Sequence, residues 1–131
     1  MKRVLILHAS GSNRDGDLAD AIRLAGGQAE IVPLSRSQAE AIDWLDYDML
    51  ALPGGFSYGD ALGAGKLWAL ALQTWFADQM QNYIASGRPV IGICNGFQVL
   101  VKAGLLPGLS IQARATLTYN QSAQFECRWV N

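Results

Sequence analysis

The sequence predicts an α/β fold in which an open parallel sheet carries helices on both faces. Three observations predict it. Short apolar, β-branched runs recur along the chain, each leads into a loop rich in small residues, and most loops open into a segment with helical apolar spacing. That alternation is how parallel strands joined by crossover helices are written in sequence. The chain has 131 residues, half of them hydrophobic, which suits one domain around one core.

Arg3-Val4-Leu5-Ile6-Leu7 is a continuous apolar run, the pattern of a strand buried on both faces. The loop from His8 to Arg14 follows, with Asp15 or Asp17 as the expected cap of a first helix. Leu18, Ala21, Ile22 and Ala25 give that helix its apolar face, and Gly26-Gly27 ends it. Ala29 to Pro33 reads as a second strand, and Ser37 to Trp44 as a short helix capped by Ser35 or Ser37. Asp48 to Leu52 is a third strand that exits into Pro53-Gly54-Gly55-Phe56-Ser57-Tyr58-Gly59. One long helix is expected from about Lys66 to Ala85, with Leu67, Leu70, Ala71, Trp75, Met80, Tyr83 and Ile84 as its buried stripe and Gly87 as its C-cap. Pro89 to Ile93 is the fourth strand, and Asn95 to Ala103 a helix stopped by Gly104. The end of the chain leaves this rhythm. Ala115 to Tyr119 and Phe125 to Val130 flank Asn120-Gln121-Ser122, which predicts a C-terminal antiparallel hairpin.

Charge and length exclude several function classes. Only 16% of residues are Asp, Glu, Lys or Arg, and the net charge is -1. No basic stripe is present for nucleic acid or a membrane surface, and no apolar run is long enough for a membrane span. Met1 to Leu7 has a basic tip and an apolar stretch, but the turn and helix that follow fit a first core strand better than a secretion signal. Cys94 and Cys127 form neither a disulfide framework nor a metal-binding spacing, so reduced thiols in the cytoplasm are expected.

The chemistry concentrates at Gly92-Ile93-Cys94-Asn95-Gly96. Small residues two before and two after a nucleophile permit a sharp strand-to-helix turn that lifts the side chain above the sheet. Open α/β sheets bind ligands at that carboxyl edge, and a cysteine at a helix start is in an environment that favours the thiolate. An inert core cysteine packed among small residues would show the same pattern. Pro53-Gly54-Gly55 ends the preceding strand and reaches the same edge. Its amides, with that of Asn95, suit an oxyanion hole; an ordinary strand-exit turn is the alternative. Gly65-Lys66 is no phosphate loop, because Asp60 stands where the first glycine belongs and Leu67 where Ser or Thr belongs.

Taken together, Pro53-Gly54-Gly55 and Gly92-Ile93-Cys94-Asn95-Gly96-Phe97-Gln98 resemble the class I, triad-type glutamine amidotransferases. The strings PGGFSYGDALGAG and GICNGFQVL, and the tail from Asn120 to Arg128, are similar to the glutaminase components of phosphoribosylformylglycinamidine synthases, over about residues 3 to 130. The resemblance implies a flavodoxin-like sheet and a function in de novo purine biosynthesis. Cys94 would attack the side-chain amide of glutamine and release ammonia, leaving a γ-glutamyl thioester for water to hydrolyse to glutamate. Gly54, Gly55 and Asn95 would supply oxyanion amides, Gln98 would hold glutamine, and Asn120 and Ser122 would line its pocket. The partner implied is a formylglycinamide ribonucleotide synthetase, which uses the ATP and magnesium; no cofactor or metal is expected in this chain.

The family's triad also has a histidine and a glutamate on a later segment. The resemblance therefore implies a single amidotransferase-type domain over residues 1–131 that is incomplete at its C-terminus, weak or inactive alone, with exposed apolar surface. The only histidine, His8, follows the first strand and shares its edge with Cys94, but nothing in the sequence turns it toward the thiol. Asp15, Asp17 and Asp60 read as caps or solvated charges, and Phe56 and Tyr58 as pocket rim or partner surface. Two other functions stay open: a non-catalytic assembly module docked on the synthetase, and a flavodoxin-like cysteine hydrolase.

Overall fold

The computed structural model describes residues 1–108 and 115–130. A four-stranded sheet is formed by β1 (Arg3–His8), β2 (Gln28–Pro33), β3 (Met49–Leu52) and β4 (Val90–Gly92), in the order β2-β1-β3-β4. All three pairings are parallel, with Ile6 beside Ile31 and Ala51, and Leu52 beside Gly92. The α/β parallel architecture expected from the alternating runs is therefore present.

The pleat divides the core in two. Leu5, Leu7, Leu50 and Leu52 point to one face, where Trp68 and Leu72 of α3 (Lys66–Thr74), Met80 and Tyr83 of α4 (Ala77–Ala85), and Val99 and Leu100 of α5 (Asn95–Lys102) bury them. Val4, Ile6 and Ala51 point to the other face and meet Ala19, Leu18 and Ile22 of α1 (Asp15–Leu24). Alternate residues of one apolar strand thus serve opposite layers. At the sheet edge, Ile91 and Ile93 are 39% and 45% exposed.

Several elements differ from expectation. The long helix is broken at Trp75 and Phe76, and the buried stripe of α3 is Trp68, Ala69, Ala71 and Leu72, which keeps the expected Ala71 but not Leu67 or Leu70. Leu70 and Trp75 face outward. The break turns Phe76 inward, where it stacks on Trp44 with ring centroids 5.3 Å apart. Such a pair adds about 0.5–1.5 kcal/mol beyond the area it buries. The helix expected over Ser37 to Trp44 is instead α2 (Leu34–Ala39), started by Pro33 at φ −59°, followed by a 3₁₀ turn at Trp44–Asp46. Ser37 does not cap it; its Oγ accepts from the buried Trp44 Nε1 at 2.9 Å. Asp15 and Asp17 do not cap α1 either. They occupy its first turn, where the helix dipole still favours a carboxylate.

The C-terminal hairpin is also corrected. A turn is present, with Ala123 N donating to Asn120 O at 2.8 Å, but neither 115–119 nor 125–130 forms a strand. Tyr119, Phe125 and Trp129 are exposed. A two-stranded ribbon with no layer to pack against has little to stabilise it.

Candidate active site

At the end of β4 the chain turns sharply into α5, and Cys94 sits on the turn at φ 52°, ψ −109°. Non-glycine residues rarely adopt a positive φ, and one is held there only by surrounding structure. The glycines supply that structure. A Cβ on Gly96 would lie 2.1 Å from Leu52 O, and one on Gly92 would lie 2.6 Å from both Gly96 O and Leu100 Cδ1. Only glycine lets α5 pack this closely on β3 and β4. The backbone bonds Ile93 N to Leu52 O (3.1 Å) and Gly96 N to Ile93 O (2.9 Å) close the turn. Cys94 is left exposed and free, so it is not an inert core cysteine.

A cleft of about 660 Å³ opens beside it, lined by Cys94, Ile93 and Gln98 from the β4–α5 turn and by Pro53, Gly54 and Gly55 from the β3 exit. The loop after β1, the first turns of α1 and the rest of the loop after β3 complete the wall. The β1 loop is zipped to the β3 exit by Phe56 N donating to Gly11 O (3.2 Å), Arg14 N donating to Gly54 O (3.3 Å) and a bridge between Ser12 and Gly55. Gly11 at φ 88° and Gly55 at φ 137° permit this contact. A Cβ on Gly11 would meet Phe56 O at 2.2 Å, and one on Gly55 would meet Asn13 N at 2.7 Å. Gly54 is different. A Cβ there would stand 3.6 Å from Cys94 Cβ and 3.8 Å from Arg14 Cβ, filling the cleft rather than colliding with backbone.

Asn95 lies buried behind the thiol. Its Oδ1 accepts from Ser57 N at 3.2 Å and its Nδ2 donates to Gln98 Oε1 at 3.1 Å, tying the β3 exit loop to the first turn of α5. The structure therefore brings together Cys94, Gly54, Gly55, Asn95 and Gln98. It does not bring Asn120 or Ser122 to this cleft. Asn120 Nδ2 donates to Gln124 O at 2.8 Å, and Ser122 Oγ bonds Glu126. His8 is likewise elsewhere: its Nδ1 is 3.1 Å from Asp15 Oδ2, and it is not among the cleft's lining residues.

Three lining residues that the sequence marks only as connection, cap or solvated charge are Arg14, Asp17 and Asp60. One signal could have found Arg14 and Asp17. The small, polar run Ser10-Gly11-Ser12-Asn13 leaves a strand adjacent to β3, so its loop must share the carboxyl edge with Pro53-Gly54-Gly55. No group of His, Cys, Asp and Glu suited to a metal ion occurs among the described residues. No helix there is long and apolar enough to cross a membrane.

Residues 1–131 match the CobB/CobQ-like glutamine amidotransferase domain. The chain belongs to this family. Within it, the chain is 52% identical to the PurQ subunit of phosphoribosylformylglycinamidine synthase from Treponema denticola, across 97% of the chain and 52% of that relative. It is 39% identical to the PurQ subunit of Pyrococcus furiosus, across 100% of the chain and 52% of the relative. A chain in the structure of PurLQS from Thermotoga maritima superposes with a TM-score of 0.74 at 35% identity, across 99% of this chain and 54% of that one. The chain thus spans about half the length of these relatives.

Proposed function

We propose that this chain supplies the nucleophile and part of the glutamine pocket of the glutaminase component of a phosphoribosylformylglycinamidine synthase, acting in the cytoplasm in de novo purine biosynthesis. The observation that supports this best is the geometry of Cys94. An exposed thiol sits on a turn that two obligatory glycines enforce, facing a cleft that also holds Gly54 and Gln98.

In this reading Cys94 Sγ attacks Cδ of the glutamine side-chain amide. Negative charge develops on the amide oxygen, and the backbone N–H groups of Gly54, Gly55 and Asn95 are the donors suited to receive it. Collapse breaks the C–N bond and releases ammonia, leaving a γ-glutamyl thioester on Cys94 that water cleaves to glutamate. Gln98, oriented by Asn95, holds the substrate, and Asn120 and Ser122 would join only if their segment moved to the cleft. The departing nitrogen must be protonated. His8 is turned to Asp15, so no histidine of this chain is placed to do it. Slow turnover by the chain alone is the expected consequence. The ammonia would be used by an ATP- and magnesium-dependent formylglycinamide ribonucleotide synthetase, the partner in this reading.

The position of His8 also supports a second reading, an assembly module that docks on the synthetase without hydrolysing glutamine. Ammonia release from glutamine separates the two, measured with and without the synthetase, using Cys94→Ala as control. Ammonia that depends on Cys94 and rises with the synthetase supports the glutaminase. Release unchanged in Cys94→Ala, or none in any mixture, overturns it.

A further inference from the structure

Phe56, Asp60 and Ala64 line the Cys94 cleft, and all three belong to the segment between β3 and α3. That segment does not support itself. Tyr58, Asp60 and Leu62 hold φ of 52°, 56° and 61°, a costly conformation for residues with a side chain. Ser57 Oγ and Asp60 Oδ1 are buried and have no hydrogen-bond partner among the described residues, which adds to that cost. Gly59 N, Ala61 N and Gly63 N donate to Phe56 O, Tyr58 O and Asp60 O, so these bonds stay within the segment. Such a conformation persists only where the surrounding structure over-determines it.

Helix α5 holds the segment at both ends. At the start, Asn95 Oδ1 accepts from Ser57 N at 3.2 Å, and Tyr58 N adds a bond to Ser10 O of the β1 loop. At the far end, Lys102 Nζ donates to Ala64 O, 38 residues away in sequence. The ammonium lies over Gly63, 3.4 Å from where its Cβ would be, and a Cβ on Gly65 would meet Val99 Cγ2 at 2.9 Å. A lysine in the last turn of a helix commonly serves the free carbonyls of that turn. Here Gln73 of α3 does so, its Nε2 donating to Lys102 O at 3.4 Å and to Ala103 O at 3.3 Å. The ammonium of Lys102 reaches across to the cleft wall instead.

We propose that Lys102 is a positioning residue for the glutamine pocket. It is not among the residues lining the cleft, and it acts by pinning Ala64, so that the wall carrying Phe56, Asp60 and Ala64 keeps a shape that admits a glutamine-sized chain. One helix then carries the turn of Cys94 at its start and the anchor of this wall at its end. The inference rests on the glutaminase reading, deepens it, and can fail separately from it.

Without the tether the segment leaves its competent conformation part of the time, and apparent affinity falls with the fraction that remains competent. The test follows alkylation of Cys94 in the whole chain by peptide mass, which separates it from the other free thiol, Cys127. Two electrophiles are used over a range of concentrations: the glutamine-like diazoketone 6-diazo-5-oxo-l-norleucine, and iodoacetamide, which needs no pocket. In Lys102→Met the diazoketone concentration giving half the maximal rate should rise by about tenfold, the loss of one charge-assisted hydrogen bond. The maximal rate and the iodoacetamide rate should both stay within about twofold, because the thiol and its turn are untouched. Lys102→Arg keeps a charged donor and should restore most of the affinity, a rescue that a merely structural lysine would not require. Lys102→Gln, shorter and uncharged, takes the place of the methionine variant should that one misfold. An unchanged half-maximal concentration on removal of the charge, no restoration by arginine, or equal slowing of both electrophiles overturns the inference and leaves the glutaminase reading standing. If the unmodified chain reacts with iodoacetamide but not with the diazoketone, the glutaminase reading falls and the inference falls with it.

Discussion

Asn95 donates from Nδ2 to Gln98 Oε1 at 3.1 Å while its Oδ1 accepts from Ser57 N at 3.2 Å. One buried amide thus aligns the loop after β3 with the first turn of α5, the two segments that must face each other around Cys94. Asn95→Ala removes both bonds and leaves Ser57 N and the Gln98 carbonyl without this partner. A loss of about 1–3 kcal/mol in urea unfolding is expected. Alkylation by a glutamine-like diazoketone should slow while iodoacetamide labelling is preserved. Equal slowing of both would show that Asn95 shapes the turn itself rather than the substrate pocket.

Gly96→Ala is predicted to be among the most damaging single methyl additions in the chain. Its Cβ would be 2.1 Å from Leu52 O, a backbone atom that cannot swing aside. Destabilisation of about 3 kcal/mol or more is expected, read from the urea midpoint. Gly54→Ala should behave oppositely. Its Cβ meets Cys94 Cβ at 3.6 Å, an ordinary contact, so folding should be nearly unchanged while access of a glutamine-sized electrophile to Cys94 falls.

His8→Ala is expected to leave the rate of Cys94 alkylation unchanged. The imidazole is 3.1 Å from Asp15 Oδ2 and lines no part of the cleft. A slower reaction would instead reveal an interaction with the thiol that this arrangement does not contain.

Alkaline pH should destabilise the fold through two tyrosines. Tyr47 is pushed up to about 12, first by burial and then by its hydrogen bond to Glu30. Tyr83 is pushed up to about 12 by burial, with Arg88 pulling it back and Asp48 reinforcing it. Unfolded tyrosines titrate near about 10. The fold therefore favours the protonated phenols, and their contribution is complete below pH of about 10 and lost as pH rises toward about 12. Urea midpoints measured across this interval should fall, and Tyr47→Phe or Tyr83→Phe should flatten the decline. A midpoint independent of pH there would contradict the assignment.

Much of this molecule is determined locally and was legible in the sequence. Val4 to Leu7 and Met49 to Leu52 are apolar runs that can only be interior strands, and Gly92 and Gly96 leave one sharp turn available around Cys94. The family resemblance also rests on contiguous strings. Tertiary structure decided what depends on distant partners. Trp44 and Phe76 are far apart in sequence, yet they stack where the expected long helix is broken, and the buried face of α3 is not the one its spacing predicts. Ser37 and Trp44 likewise exchange a cap for a buried hydrogen bond. Residues 115–119 and 125–130 have strand-like letters but form no strand, and among the described residues their side chains stay exposed; strand propensity is mostly a preference for surfaces against which to pack. Arg14 and Asp60 join the cleft only because parallel strands deliver separate loops to one edge. The sequence by itself determined the sharp turn that exposes Cys94, since it follows from steric limits within a few residues. The fold decided which charges surround that thiol, since that follows from which strand lies beside which.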